Sequence, residues 1–311
     1  MYYPYLRGKQ FELLALREFS QEFPSPSHIC PIIEPVKKTL NGLTTAINIL
    51  MGQNIRFALV LNPKDGDFKR IQLDLLEEIP ELKKNKDKWI PAFIYRDNPD
   101  SIQSYIKSNE LKNVMIIFLN SVNLSEDKVI EFLENENVLY IVANIEKDRS
   151  NRRRLLSLGK QLIRLDDQFN DLARNADYLN IPEEKFSEEH IYYKTEGYTG
   201  FSDYTTLPSI YKDSGMLPYA VAIHMTYQKS PEEIYIRHFV SDSNWDNTNI
   251  HGKFYEAASK FKTFFLNIKE TPASKTLIQF LDEKRYPGLG VIKKLSIKNH
   301  LELIENCLSQ Q

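Results

Sequence analysis

Eight short runs of branched and aromatic residues, spaced by helix-patterned stretches, constrain this chain more than any other feature. They are YYPYL near residue 3, ICPIIEPV at 29–36, RFALVLN at 56–62, WIPAFIYR at 89–96, NVMIIFLN at 113–120, VLYIVAN at 138–144, QLIRLDD at 161–167 and GFSDYTTL at 200–207. Several are continuously apolar rather than alternating, the pattern of strands covered on both faces. Helical patterns lie between them: FELLALREF, NGLTTAINILMG with Asn41 as cap, RIQLDLLEEI, SIQSYIKSN, SEDKVIEFLE and RSNRRRLLSLG. Ser125, Glu126 and Asp127 suit a helix N-terminus, and Gly159 a helix stop. Strand–helix alternation implies a parallel sheet with right-handed crossovers. Eight units point to an α/β fold, a closed (β/α)8 barrel of the TIM type, over 1–208. An open doubly wound sheet is the alternative, but no GxGxxG or GxxxxGK[ST] follows any strand.

After residue 208 the pattern changes. YAVAIHMTYQ and EEIYIRHFVSD read as an antiparallel β-hairpin, followed by helices in FYEAASKFKTFF, SKTLIQFLDEK and SIKNHLELIENCL, with RYPGLG as a turn. Residues 209–311 are therefore expected to form a hairpin and helical extension packed on the barrel.

Composition limits the function classes. A formal net charge of -2 gives no whole-protein reason to expect nucleic acid or an anionic membrane as partner. Two cysteines, Cys30 and Cys307, are too few for a disulfide framework, so a reducing cytoplasm is the expected compartment. The opening MYYPYLRGKQ lacks the shape of a secretory leader. No apolar stretch reaches the roughly 18 residues that would span a bilayer.

In barrels of this class the functional groups gather at the C-terminal strand ends. Here those ends supply Arg7, Gly8, Lys9 and Gln10; Glu34; Asn62, Lys64, Asp65 and Asp67; Arg96 and Asp97; Asn120; Asn144 and Glu146; Asp166 and Asp167; and Asp203 and Tyr204. Polar loops explain half of that pattern. Glu34 inside PIIEP and Asp203 inside FSDYTTL are harder to dismiss, because a buried acid needs a partner. Closure of the barrel would set the first strand between the second and the eighth, giving both acids a cation in Lys9 or Arg7. Such a group can run acid–base chemistry, hold a divalent metal or bind a cationic ligand. It can equally be a buried ion-pair network that ties the barrel ends together.

Other features carry less. LNPKDGDF has two acids around a glycine but lacks the later acids of a calcium loop, and reads as a tight turn. His224 and His238 would face each other across the hairpin, where a hydrogen-bonded structural role is the default. They have no metal-ligand spacing. Arg237 can grip phosphate. Arg152, Arg153 and Arg154 read as a solvated helix face, and SDSNWDNTN, with Trp245, as an exposed loop.

YYPYLRGKQFELLAL, PIIEPV, GFSDYTTLP and YIRHF, in that order along most of the chain, resemble the beta-protein family of phages and bacteria. The resemblance implies a prokaryotic protein in mobile-element and phage-defence settings, with a nuclease-like effector as partner. It supplies no activity. By motif it points to Lys9 and Glu12, Glu34, Asp203 and Tyr204, and Arg237 and His238.

Two functions follow as expectations. As a phosphoester hydrolase or nuclease, the protein would use Glu34, Asp203 and His238 as catalytic groups, with His238 the general acid. Arg7, Lys9, Tyr204, Arg237 and His224 would bind the ligand, a nucleotide or nucleic acid, and the acids would hold Mg²⁺ or a water. As a recognition subunit, the same mouth would sense a nucleotide or phage component and leave the chemistry to a separate effector.

Overall fold

Each of the eight expected runs becomes a strand of one parallel sheet. The fold is taken from a computed structural model that describes residues 1–311 except 26, 121–123, 125–126, 146–147 and 214–216. The chain divides into two compact units, described in turn. The first comprises Met1–Lys9, Phe23–Asp166 and Tyr192–Asp203; the second comprises Gln10–Glu22, Asp167–Ile191 and Tyr204–Gln311.

The first unit holds β1 (Tyr5–Arg7), β2 (Ile32–Glu34), β3 (Phe57–Val60), β4 (Trp89–Ile94), β5 (Val114–Phe118), β6 (Val138–Ala143) and β7 (Gln161–Leu165). The eighth barrel strand, β9 (Gly200–Ser202), follows an excursion that contains β8 (Glu183–Ser187). The sheet order is β1-β2-β3-β4-β5-β6-β7-β9, parallel throughout. The ring is nearly closed. At the seam Tyr3 N–H donates to Phe201 O and Tyr5 N–H to Asp203 O, both at 2.8 Å, and Tyr2 bridges Phe201. This is a (β/α)8 barrel of the TIM type, and the GFSDYTTL run lies beside YYPYL as closure requires. The strands are buried along almost their whole length, which explains their continuous apolar sequences.

Helices follow the strands. They are α1 (Gln10–Glu22), which groups with the second unit, then α2 (Asn41–Gly52), α3 (Leu75–Glu78), α4 (Pro80–Lys84), α5 (Pro99–Ser108), α6 (Asp127–Glu134) and α7 (Arg149–Ser157). Asn41 is the first residue of α2 rather than its cap; Leu40 caps it, without a side-chain bond. The RIQLDLLEEI stretch is helical only from Leu75, because Asp74 caps there through Leu76 N–H and Pro80 starts a new helix. Gly159, at φ +65°, lies just past the end of α7, as expected of a stop. Ser125 and Glu126, expected at the start of α6, and Glu146 lie outside the described residues; Asp127 does sit in the first turn of α6.

Gly66 shapes the loop after β3. It has φ +61°, and a Cβ there would lie 2.1 Å from the Val36 carbonyl oxygen. Asp67 N–H donates to that same oxygen at 2.9 Å, and Lys38 N–H returns a bond to the Asp67 carboxylate at 2.9 Å. LNPKDGD is thus a tight clasp between the β2 and β3 loops.

The second unit is built on an antiparallel sheet in the order β10 (Ala222–Gln228), β11 (Ile234–Val240), β8. The expected hairpin is there, with His224 opposite His238, but it gains a third strand. β8 has the sequence EEKFS, charged and short, as suits an edge strand. The unit also contains α8 (Glu189–Tyr192, whose last residue groups with the barrel), α9 (Ile250–Phe265), α10 (Pro272–Asp282) and α11 (Leu289–Leu308). Thr271 and Ser274 form a reciprocal capping box around Pro272 at the start of α10. Val221, Ile223, Phe239, Phe254, Phe261, Leu277, Ile292 and Leu295 form its core. The units interleave along the chain: Gln10–Glu22 and Asp167–Ile191, both before residue 208, group with Tyr204–Gln311.

Among the described residues no helix is long and apolar enough to cross a membrane. Cys30 and Cys307 are buried free thiols, raised by burial to about 12 and about 11 respectively.

Candidate functional site

Polar residues appear where the barrel strands end, and their partners decide what each can do. Glu34 closes β2 and is wholly buried. Its Oε2 accepts from the Tyr5 hydroxyl at 2.7 Å and its Oε1 from the Lys64 backbone N–H at 3.0 Å. One carboxylate thus fastens β1 to the loop after β3. Asp203 follows β9, 3 % exposed, and its Oδ1 accepts from the Tyr2 hydroxyl at 2.5 Å. Burial and then Asp203 push the Tyr2 phenol well above its ordinary value, so Tyr2 stays a donor. Two residues further on, Thr205 has φ +57° and is fully buried. A left-handed backbone on a β-branched residue stores strain, and strain of this kind gathers at functional sites.

The cations sit beside carboxylates. Arg7, at the end of β1, is buried with its Nε 3.9 Å from Asp65 Oδ2 and its guanidinium 6.0 Å from the Tyr5 ring. Lys64 Nζ reaches the same Asp65 oxygen at 3.1 Å, with its side chain 35 % exposed. Two cations from two strand ends therefore converge on one acid. Arg164 in β7 holds Asp166 at 2.6 Å and Glu196 at 2.8 Å. Lys9 is half-buried, and its N–H turns back to the Arg7 carbonyl.

Asn62 belongs to the architecture: its side-chain amide both donates to Ile94 O and accepts from Ile94 N–H, each at 2.8 Å. Asn120 and Asn144 are exposed. Beside Asp203, the buried Ser202 Oγ has no hydrogen-bond partner among the described residues. Tyr204, which opens the last segment of the second unit, is buried. Glu12, carried by the family resemblance, is buried on α1 in the second unit.

The hairpin residues lie in the second unit and pair within it. His224 Nδ1 and His238 Nδ1 are 2.7 Å apart, so one proton is shared between them, and His238 Nε2 is 3.2 Å from Glu184 Oε1. Both ring nitrogens of His238 are therefore engaged, whereas a general acid needs one for its substrate. Tyr178 covers the pair, with ring centroids 4.8 Å from His224 and 4.5 Å from His238. Burial lowers both imidazoles, His224 furthest because His238 and Lys293 add to it; Glu184 opposes the shift at His238. Arg237 donates to Glu183 at 2.8 Å, and Glu183 also takes Lys229 and the Tyr227 hydroxyl, each at 2.7 Å.

Among the described residues no group of three or more His, Cys, Asp or Glu side chains converges as a metal site. Sequence reasoning found Glu34 and Asp203 but not the tyrosines that hold them. The signal was present: a phenol inside a buried strand needs a polar partner, and β1 with its flank carries Tyr2, Tyr3 and Tyr5. Glu184 was missed together with its edge strand. No protein-family model matches the chain, and no curated protein matches it.

Proposed function

We propose that the barrel mouth recognises a phosphate-containing ligand, a nucleotide or the backbone of a nucleic acid, and that the protein is the recognition subunit for a separate, nuclease-like effector. The observation that carries the reading is the convergence of Arg7 and Lys64 on Asp65. A phosphate arriving at the ends of β1 and β3 would meet both cations there, with the guanidinium offering a planar fork and the ammonium a mobile point charge. Glu34 supports recognition over chemistry, because both its oxygens already serve protein donors. The prokaryotic, antiviral setting rests on the resemblance of the quoted motifs, and the buried free thiols suit a reducing cytoplasm.

Hydrolysis at the mouth is the second reading. The strained Thr205 backbone two residues after Asp203, whose buried carboxylate the Tyr2 hydroxyl holds in place, favours it.

Calorimetric titration of nucleoside monophosphates and short oligonucleotides tests recognition. Lys64→Ala removes a half-exposed side chain and should leave stability nearly unchanged. Losing one charge-assisted phosphate contact should weaken binding about tenfold. Arg7→Gln should weaken it at least as much. Binding that survives both substitutions, or no phosphate ligand at all, would end the reading.

A further inference from the structure

Within the second unit, β11 runs past the end of β8. The last β8 pair is Glu183 with Arg237, and His238 N–H then bonds to Pro182 O. At this step a cleft of about 220 Å³ opens, walled by Tyr178, Pro182, Arg237, His238, Val240 and Lys260. An apolar cavity of about 150 Å³ admits benzene, so this cleft has room for a ligand the size of benzoate.

Two cations line it with donors to spare. A guanidinium has five N–H groups. Arg237 uses only Nη1, towards Glu183, and its Cζ lies over the Phe264 ring, 4.6 Å from the centroid, which helps to fix its position. Glu183 is itself shared with Lys229, so Arg237 does not have that carboxylate to itself. Lys260 donates to Val240 O at 2.7 Å and to Asp242 at 2.6 Å, leaving its third proton. The Asp242 side chain is 69 % exposed, and an ion pair so open to water is weak enough for another anion to displace. The remaining walls are apolar or neutral: the Tyr178 ring, Pro182, Val240, and a His238 whose nitrogens are both engaged and whose proton affinity burial lowers.

We infer that this cleft is a second ligand site, taking a small oxyanion, carboxylate or phosphate, that carries a compact apolar or aromatic body. The oxyanion bridges Arg237 and Lys260, and the body rests on Tyr178 and Pro182. The site is complete within the second unit and does not depend on the barrel mouth.

Benzoate, phenyl phosphate and inorganic phosphate, titrated into the full chain and followed by calorimetry and by the histidine ring signals in NMR, test it. Both aryl anions should bind and shift the His238 signals, and inorganic phosphate should bind more weakly. Whichever aryl anion is tighter names the oxyanion preferred. Arg237→Gln should raise the Kd about tenfold, the worth of one charge-assisted bond. It should still fold, because Glu183 keeps Lys229 and Tyr227. Lys260→Gln is the second probe and should also weaken binding. Benzoate binding read at the His238 signals should stay within about twofold in Lys64→Ala, as expected for a site independent of the mouth's phosphate cations. No aryl-anion binding, or binding indifferent to both cleft substitutions, overturns the inference; so does loss of that benzoate binding in Lys64→Ala, which would assign it to the barrel mouth.

Discussion

Glu34 separates a positioning acid from a reacting one, and two substitutions resolve which it is. Alanine removes both bonds of a fully buried carboxylate and leaves the Tyr5 hydroxyl and the Lys64 N–H to find other partners. Hydrogen bonds to a charged group are worth about 1.5–3 kcal/mol each, so Glu34→Ala should cost about 3–5 kcal/mol. Glutamine keeps one acceptor, which can serve Lys64 N–H. Its amide N–H can donate to the Tyr5 oxygen once that hydroxyl rotates. Both contacts then survive at neutral strength, and the cost should be about 1–2 kcal/mol. For a unit of this size each kcal/mol moves the midpoint roughly 2–4 °C, so alanine should lower the barrel's transition by roughly 10 °C and glutamine by less than half of that. Circular-dichroism melts read both, and calorimetry reads ligand binding in the glutamine variant, which should stay within about threefold of the parent. If glutamine destabilises as much as alanine, the bonding geometry described here is not what holds the loop. If glutamine is stable yet loses ligand binding entirely, Glu34 reacts with or touches the ligand, and its assignment as a positioning group is wrong.

Three further outcomes follow. The buried His224–His238 pair has folded values below the unfolded one, so the unfolded chain binds more protons in acid. Stability should be full above about pH 6.5 and fall as the pH drops towards the folded values, a slope that His224→Gln should reduce in urea melts. Glu302 on α11 is raised to about 7 by burial, against the Ala273 N–H and Lys298 that favour its charge. The folded state therefore holds its proton more tightly than the unfolded state, and the parent loses stability as pH rises from about 4.5 through 7; the stability of Glu302→Gln relative to the parent should grow between pH 5 and pH 8. Gly66→Ala must fit a Cβ against the Val36 carbonyl at positive φ and should cost about 1–3 kcal/mol by denaturant titration; a neutral result would refute the close approach.

The barrel was legible because burial on both faces leaves its mark on every strand: FALV, VMIIF and VLYIVA admit no solvent face. β8 was not legible, since an edge strand paired on one side needs few apolar residues and EEKFS has one. At the mouth, Glu34 and Asp203 stood out as acids inside strand-forming runs, and both proved buried. Their donors did not stand out, because Tyr2 and Tyr5 read as ordinary core aromatics until the fold brings their hydroxyls to residues 201 and 29 positions away. Register decides such pairings, and a single sequence carries register only through alternation, which these doubly buried strands lack. The hairpin histidines were legible for a different reason. A short connection between alternating strands fixes which residues oppose each other, and His224 does face His238.

Phosphorus NMR tests recognition at the barrel mouth most directly. Nucleoside monophosphates and a short oligonucleotide, each mixed with a slight excess of the full chain and followed for hours with and without Mg²⁺, should show shifted and broadened resonances that return on adding a competing phosphate ligand. The parent should produce no new phosphorus signal, and Lys64→Ala should abolish most of the shift. A growing inorganic-phosphate or product resonance that disappears in Asp203→Asn would contradict recognition and establish hydrolysis at the same mouth.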